Sequence, residues 1–142
     1  YFNGVQFRLL QFRFVPEILT EQQAWVAGVS VGDAQHWLDE KYRSLHMYTG
    51  DPSRGDSGFL GYNTHNQFLE ALLQSGIAGL IGFLTIFISL AGMIKKHRTA
   101  LNFMIVLLLL LCFTEAVLET QYFSFAFIFF PLFYFLGGKK SV

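Results

Sequence analysis

Residues Ala71 to Ile94 read ALLQSGIAGLIGFLTIFISLAGMI, about 24 consecutive positions without an ionisable side chain. At 1.5 Å of rise per residue, a helix of that length crosses a hydrocarbon core roughly 30 Å thick. The stretch therefore predicts a membrane-spanning helix. On its C-terminal side the apolar character persists: from Ala71 onward, charge is confined to Lys95, Lys96, Arg98, Glu115, Glu119, Lys139 and Lys140. On its N-terminal side the chain turns polar. The 53% hydrophobic and 18% aromatic content is thus concentrated in the second half, the distribution expected of a membrane protein.

Two more apolar segments follow. Leu101 to Leu118 is dominated by Met104 to Cys112 and interrupted near its end by Glu115. Tyr122 to Gly138 is short and rich in Phe, with Pro131 inside it, where a kinked helix is expected because neighbouring groups in a bundle can satisfy the freed carbonyl. The predicted helices run over about 64–94, 99–118 and 121–138, so that 64–142 forms a membrane region. Lys95, Lys96, His97 and Arg98 fill the turn after the first span, and Lys139 and Lys140 follow the third. The turn around Glu119 to Gln121 has no Lys or Arg. By the positive-inside bias the basic turn and the C-terminus are cytoplasmic, which leaves residues 1–63 outside.

That first region is too long for a simple connector and too polar to span. Val5, Leu9, Phe12 and Pro16 recur at helical spacing, and Phe2, Phe7, Leu10 and Phe14 widen the apolar surface. Such a helix would lie against the membrane face or on neighbouring helices. Gly28 to Gly32 predicts a turn before Asp33, a suitable N-cap. Ala34, Trp37, Leu38, Tyr42 and Leu45 then share one face of a second amphipathic helix, with Asp39, Glu40, Lys41 and Arg43 on the other. Thr49 to Gly61, rich in Gly, Asp and Ser, reads as loop. The expected fold is all-α: a polytopic membrane helical bundle carrying an external loop that is itself helical. The chain opens on Tyr1 with no charged leader before the polar half, and is read as a piece of a longer protein.

The residues that carry chemistry cluster around the entry to the first span. Thr64-His65-Asn66-Gln67 fits a capping box, in which the Thr hydroxyl and the Gln side chain reciprocally satisfy free backbone N–H groups. His65 is then expected as the first helical residue, where the helix dipole disfavours the imidazolium and leaves a neutral ring able to accept a proton. The bland alternative is an interfacial His chosen for its polarity. Leu69, Leu72, Gly76, Gly79 and Phe83 share its side, and the glycines would admit a second helix beneath it. Arg8 and Arg13 stand in the most apolar stretch of the external region. Either could hold a phosphate or lipid-linked pyrophosphate through paired charge-assisted hydrogen bonds, or snorkel to headgroups, and the second role suits Arg13 better. Glu115 and Glu119 lie at the outer end of the second span, where an ionisable group at membrane depth marks a functional site and one beyond it is merely interfacial.

Other chemistries lack their residues. With zero formal net charge and no basic run interleaved with aromatics, nucleic acid is not an expected partner. The lone Cys112 excludes an internal disulfide and reads as a small buried hydrophobe. His36 and Glu40 have i, i+4 spacing but no third ligand, and Asp51, Asp56 and Ser57 lack calcium-loop spacing, so no metal is expected. Nor does a Gly-rich phosphate loop appear, and no cofactor is expected.

Taken in order, Arg8 on its helix, Gly28-Val29-Ser30-Val31-Gly32-Asp33, His65-Asn66-Gln67-Phe68-Leu69-Glu70 continuing to Gly76-Ile77-Ala78-Gly79-Leu80, and Thr114-Glu115 before an aromatic last segment resemble the O-antigen ligase and polymerase superfamily. The resemblance covers about Gln6 to Phe135. It implies the C-terminal part of a GT-C-like glycosyltransferase of the bacterial cytoplasmic (inner) membrane, with residues 1–63 periplasmic. The implied reaction moves a glycan from undecaprenyl pyrophosphate to an acceptor hydroxyl on lipid A core, on another glycan or on a protein. The family's loop histidine matches His65, which would activate the acceptor. Its loop arginine matches Arg8, which would bind the donor pyrophosphate, with Arg13, Asn66 and Glu115 as further substrate contacts. A second arginine of the ligases would lie upstream of Tyr1. Ser30 departs from the pattern, standing where a third Gly is expected. Because pyrophosphate is a good leaving group, such chemistry needs a base, cationic donors and a water-poor pocket but no metal. From another class, a non-enzymatic transporter or flippase for lipid-linked saccharides would place polar groups along a midplane pathway.

Overall fold

A computed structural model describes residues 4–92, 99–119 and 129. It is all-helical among them: α1 spans Gly4–Glu21, α2 Ala34–Ser44, α3 Gln67–Gly92 and α4 Thr99–Thr114, with 3-10 turns at Pro52–Arg54 and Val117–Glu119. The third span expected at 121–138, apart from Phe129, lies outside the described residues, as do the basic cluster Lys95 to Arg98, Lys139, Lys140 and Phe2.

α1 carries two apolar stripes, and packing chooses between them. Phe7, Phe14, Val15, Ile18 and Leu19 are buried, along with Gln11, whereas Val5, Leu9 and Phe12, the stripe with the cleaner spacing, are exposed. Phe7 and Phe14, two of the widening residues, thus join the core, with Leu10 packed partly against it, and the more regular stripe faces outward. Across from them α2 buries Ala34, Leu38 and Tyr42, and the first turns of α3 bury Leu69 and Leu73. Each such apolar side chain contributes about 1.5–3 kcal/mol relative to exposure. Tyr42 completes the seam: its hydroxyl accepts from Gln11 Nε2 at 3.1 Å and donates to the Tyr62 carbonyl at 3.0 Å, and burial pushes its ionisation well above the ordinary range. At the outer edge Lys41 is largely covered. Burial alone would lower its pKa, but hydrogen bonds to Glu17 and Glu21 outweigh it and raise the value.

Asp33 stands at the N-cap position of α2 but makes no side-chain cap hydrogen bond. Its backbone is already right-handed helical (φ −104°, ψ −12°) instead of extended, so the carboxylate is not aimed back at the first-turn amides.

α3 begins at Gln67 and is broken at Gly76, whose φ of 64° and ψ of −163° are not helical. The segment Trp25–Ser30 fills the break. Val29 N–H donates to Leu73 O (2.9 Å) and Ser30 N–H to Gln74 O (3.0 Å), while Ile77 and Ala78 N–H donate to Trp25 O and Val26 O (2.8 and 3.3 Å). Backbone groups freed by the break are thereby satisfied, as burial requires. The neighbour that approaches Gly76 is therefore a loop and not a second helix: Gly76 faces the backbone of Val26 and Ala27, and Gly28 that of Gln74 and Ser75.

Below the break, α3 and α4 pack through Phe83, Phe87, Ile105, Leu108 and Cys112. Met104, Leu109 and Leu111 pack partly against this cluster, whereas Ile81, Ile88, Phe103, Val106 and Leu110 face outward. α3 is long and apolar enough to cross a membrane over Gln67–Ser89; the apolar part of α4, Phe103–Thr114, is shorter.

Candidate functional site

Capping at the start of α3 differs from the expected box by two residues. Asn66 is the cap: its Oδ1 accepts from Phe68 N–H at 2.9 Å and Leu69 N–H at 3.0 Å. Its amide group donates to the Phe113 carbonyl at 3.0 Å, tying the end of α4 to the head of α3. Thr64 and Gln67 are used elsewhere. The Thr64 hydroxyl lies 2.7 Å from Glu70 Oε2, and Gln67 Oε1 accepts from Leu118 N–H at 2.6 Å. Replacing Asn66 by Ala removes both cap bonds and the interhelical tie, and is expected to cost about 2 kcal/mol. A lowered thermal midpoint of the purified full-length protein would register it.

His65 consequently precedes the helix instead of opening it. Its φ is +48°, a left-handed conformation that costs a non-glycine residue about 1–2 kcal/mol. The Asn63 side chain supports the turn by accepting from His65 N–H at 3.0 Å. The dipole argument for a neutral ring belongs to the first helical turn, which His65 does not enter. A carboxylate takes its place as the organising partner.

Glu115 lies just past the C-terminal end of α4, its N–H bonded to Leu111 O at 2.9 Å. Oε2 of its carboxylate is 3.1 Å from His65 Nδ1, and Oε1 accepts from Arg8 Nη2 at 2.7 Å. Residues from α1, the α3 entry and the α4 end thus converge on one carboxylate. The arrangement has a definite polarity. A carboxylate that accepts from Nδ1 fixes the ring proton there, by assignment from the hydrogen bond, and directs the Nε2 lone pair away from it. The His65 ring is three-quarters buried and leans against Tyr62, with ring centroids 5.7 Å apart. The Arg8 side chain remains 43% exposed, which leaves part of its five-donor fork facing outward.

Arg8 and His65 line a cleft of about 410 Å³, with Glu115 bonded to both. Val5, Leu9 and Phe12 of α1, with Phe113 of α4, make an apolar wall; Arg8, Thr64, His65, Asn66 and Thr114 make the polar end. The outward stripe of α1 is therefore a cleft lining.

Of the five residues singled out in the sequence, three meet: His65, Arg8 and Glu115. Asn66 adjoins them, but it is 3% exposed and committed to capping and to Phe113, which makes it a positioning residue. Arg13 is elsewhere. Five residues after Arg8, it projects from another side of α1 and pairs with Glu17 at 2.6 Å, with 65% of its side chain exposed. Sequence reasoning misses Glu70. This residue is 2% exposed and gathers the Thr64 hydroxyl, the Thr64 N–H (3.3 Å) and Gln74 Nε2 (2.7 Å), anchoring the strand of loop that carries His65.

Compared with protein families, with curated proteins and with solved structures, the chain matches none. The function must therefore be argued from the site.

Proposed function

We propose that this chain is part of a polytopic bacterial inner-membrane glycosyltransferase of the O-antigen ligase type. It would transfer a glycan from undecaprenyl pyrophosphate to an acceptor hydroxyl, whether on lipid A core, on a growing glycan or on a protein. The observation that carries the proposal is that His65 and Arg8, which line the polar end of an apolar cleft, converge on the Glu115 carboxylate. In this reading His65 Nε2 takes the acceptor hydroxyl proton as the oxygen attacks the anomeric carbon. Glu115 holds the ring and stabilises the imidazolium that results. Arg8 neutralises the pyrophosphate that departs, and the apolar wall meets the polyprenyl chain and keeps water out. In the same reading the external region 1–63 is periplasmic, α3 and α4 are two of three spans, and the C-terminus is cytoplasmic.

The break in α3 is a feature also found in transporters, whose discontinuous helices line a midplane site. Here the freed groups bond to Trp25, Val26, Val29 and Ser30, and the charged cluster lies at the helix ends, which favours the enzyme. Two variants test the site roles through glycan transfer by the full-length protein. Arg8→Ala is expected to lower the rate about 10²-fold by removing charge stabilisation from the leaving group. Glu115→Gln keeps the shape but loses the charge behind His65, for an expected loss on the order of 10–100-fold. Wild-type rates in both would sink the proposed roles.

A further inference from the structure

We infer that the loop between α1 and α2 is itself a membrane anchor, with Trp25, Val26 and Val31 seated in the outer interfacial layer of the bilayer. No charged residue lies between Glu21 and Asp33. Within that stretch Trp25, Val26 and Val31 are 38%, 74% and 70% exposed, three apolar side chains directed away from the core in seven residues. The loop does not float. Four backbone hydrogen bonds fix it to α3 at Leu73, Gln74, Ile77 and Ala78, and the reciprocal contacts of Gly28 and Gly76 bring the two backbones together.

That attachment point is where α3 changes character. N-terminal to it Leu69, Glu70 and Leu73 are buried in the core; C-terminal to it Ile77, Ile81 and Ile88 are outward and 45%, 57% and 69% exposed. The loop's apolar tip is thus held at the level where the outward apolar face of α3 begins. Bilayer lipid is the partner that fits both surfaces. The Trp25 indole suits an interfacial position, being broad and apolar with its N–H already bonded to Thr20 Oγ1 at 3.1 Å. The inference rests on α3 crossing the membrane, but not on the chemistry proposed for His65.

The test uses the full-length protein in phosphatidylcholine vesicles, with a fluorophore on one introduced cysteine and nitroxide-labelled lipid as quencher. Val26→Cys probes the loop, Ile81→Cys the outward face of α3, and Arg54→Cys the aqueous loop, where the native side chain is 83% exposed. All three native side chains point outward, so each variant should fold. The expected result is loss of fluorescence at positions 26 and 81 and none at 54. Quenching at 81 without quenching at 26 would place the loop in water or under another protein segment and overturn the inference while sparing the span. Absence of quenching at both would overturn the span as well.

Discussion

Replacing His65 by Ala in the full-length protein is expected to lower glycan transfer about 10²–10⁴-fold, the usual contribution of a positioned general base. The geometry makes this a demanding prediction. Only Nδ1 is engaged by Glu115, so the ring's second nitrogen is the atom the reaction would use, and among the described residues no other imidazole lines the cleft to replace it. The backbone supplies the control. Because φ is +48° at this position, Ala keeps the conformational strain, whereas Asn tolerates left-handed backbone well. His65→Asn should therefore match or exceed the Ala variant in stability and be just as inactive, since a carboxamide cannot take the proton. Activity recovered in the Asn variant would mean that the turn, and not the imidazole, is what transfer requires.

The second large effect is structural. Gly28→Ala and Gly76→Ala should each destabilise the protein by about 2–5 kcal/mol, from left-handed backbone on one side and collision with main chain on the other. Gly28 has φ 72° and Gly76 has φ 64°, and a Cβ on either would meet backbone atoms of the opposite segment, which cannot rotate aside as a side chain can. The two substitutions strain one interface, so the double variant should lose less than the sum. Gly82→Ala is the contrasting case. Gly82 lies within α3 with nothing within 4 Å of where a Cβ would sit, and Ala there should be neutral or stabilising by up to about 1 kcal/mol. Thermal midpoints of the purified variants, and amide exchange at residues 25–30, would show whether the loop detaches from the break.

The helical elements themselves were legible, because periodicity and apolar length survive without tertiary context. What was not legible depended on contacts across the chain. Gly76 reads with Gly79 as a place where a second helix could pack; the break it makes instead depends on hydrogen bonds with residues about 50 positions earlier. α1 offered two apolar stripes, and only the position of Tyr42 and Leu73 decides that Phe7 and Phe14 are the buried pair. At the α3 entry Thr64 and Asn66 are both good caps. The left-handed turn at His65 favours Asn66 and frees Thr64 for Glu70. Nothing in the sequence marked Glu70, an acidic residue in the first turn of α3, as a buried anchor. His65, Arg8 and Glu115 each stood out on chemical grounds, but their meeting did not, since 107 residues separate Arg8 from Glu115 and 50 separate His65 from it.

The most direct measurement is made on the full-length protein in sealed vesicles, supplied with an undecaprenyl-pyrophosphate-linked glycan on one face and an acceptor hydroxyl on the same face. Glycan is expected to appear on the acceptor as undecaprenyl pyrophosphate is released in equal amount, with both products lost in His65→Ala. Intact donor crossing the bilayer, with no glycan on the acceptor and no difference between wild type and His65→Ala, would contradict the proposed transfer.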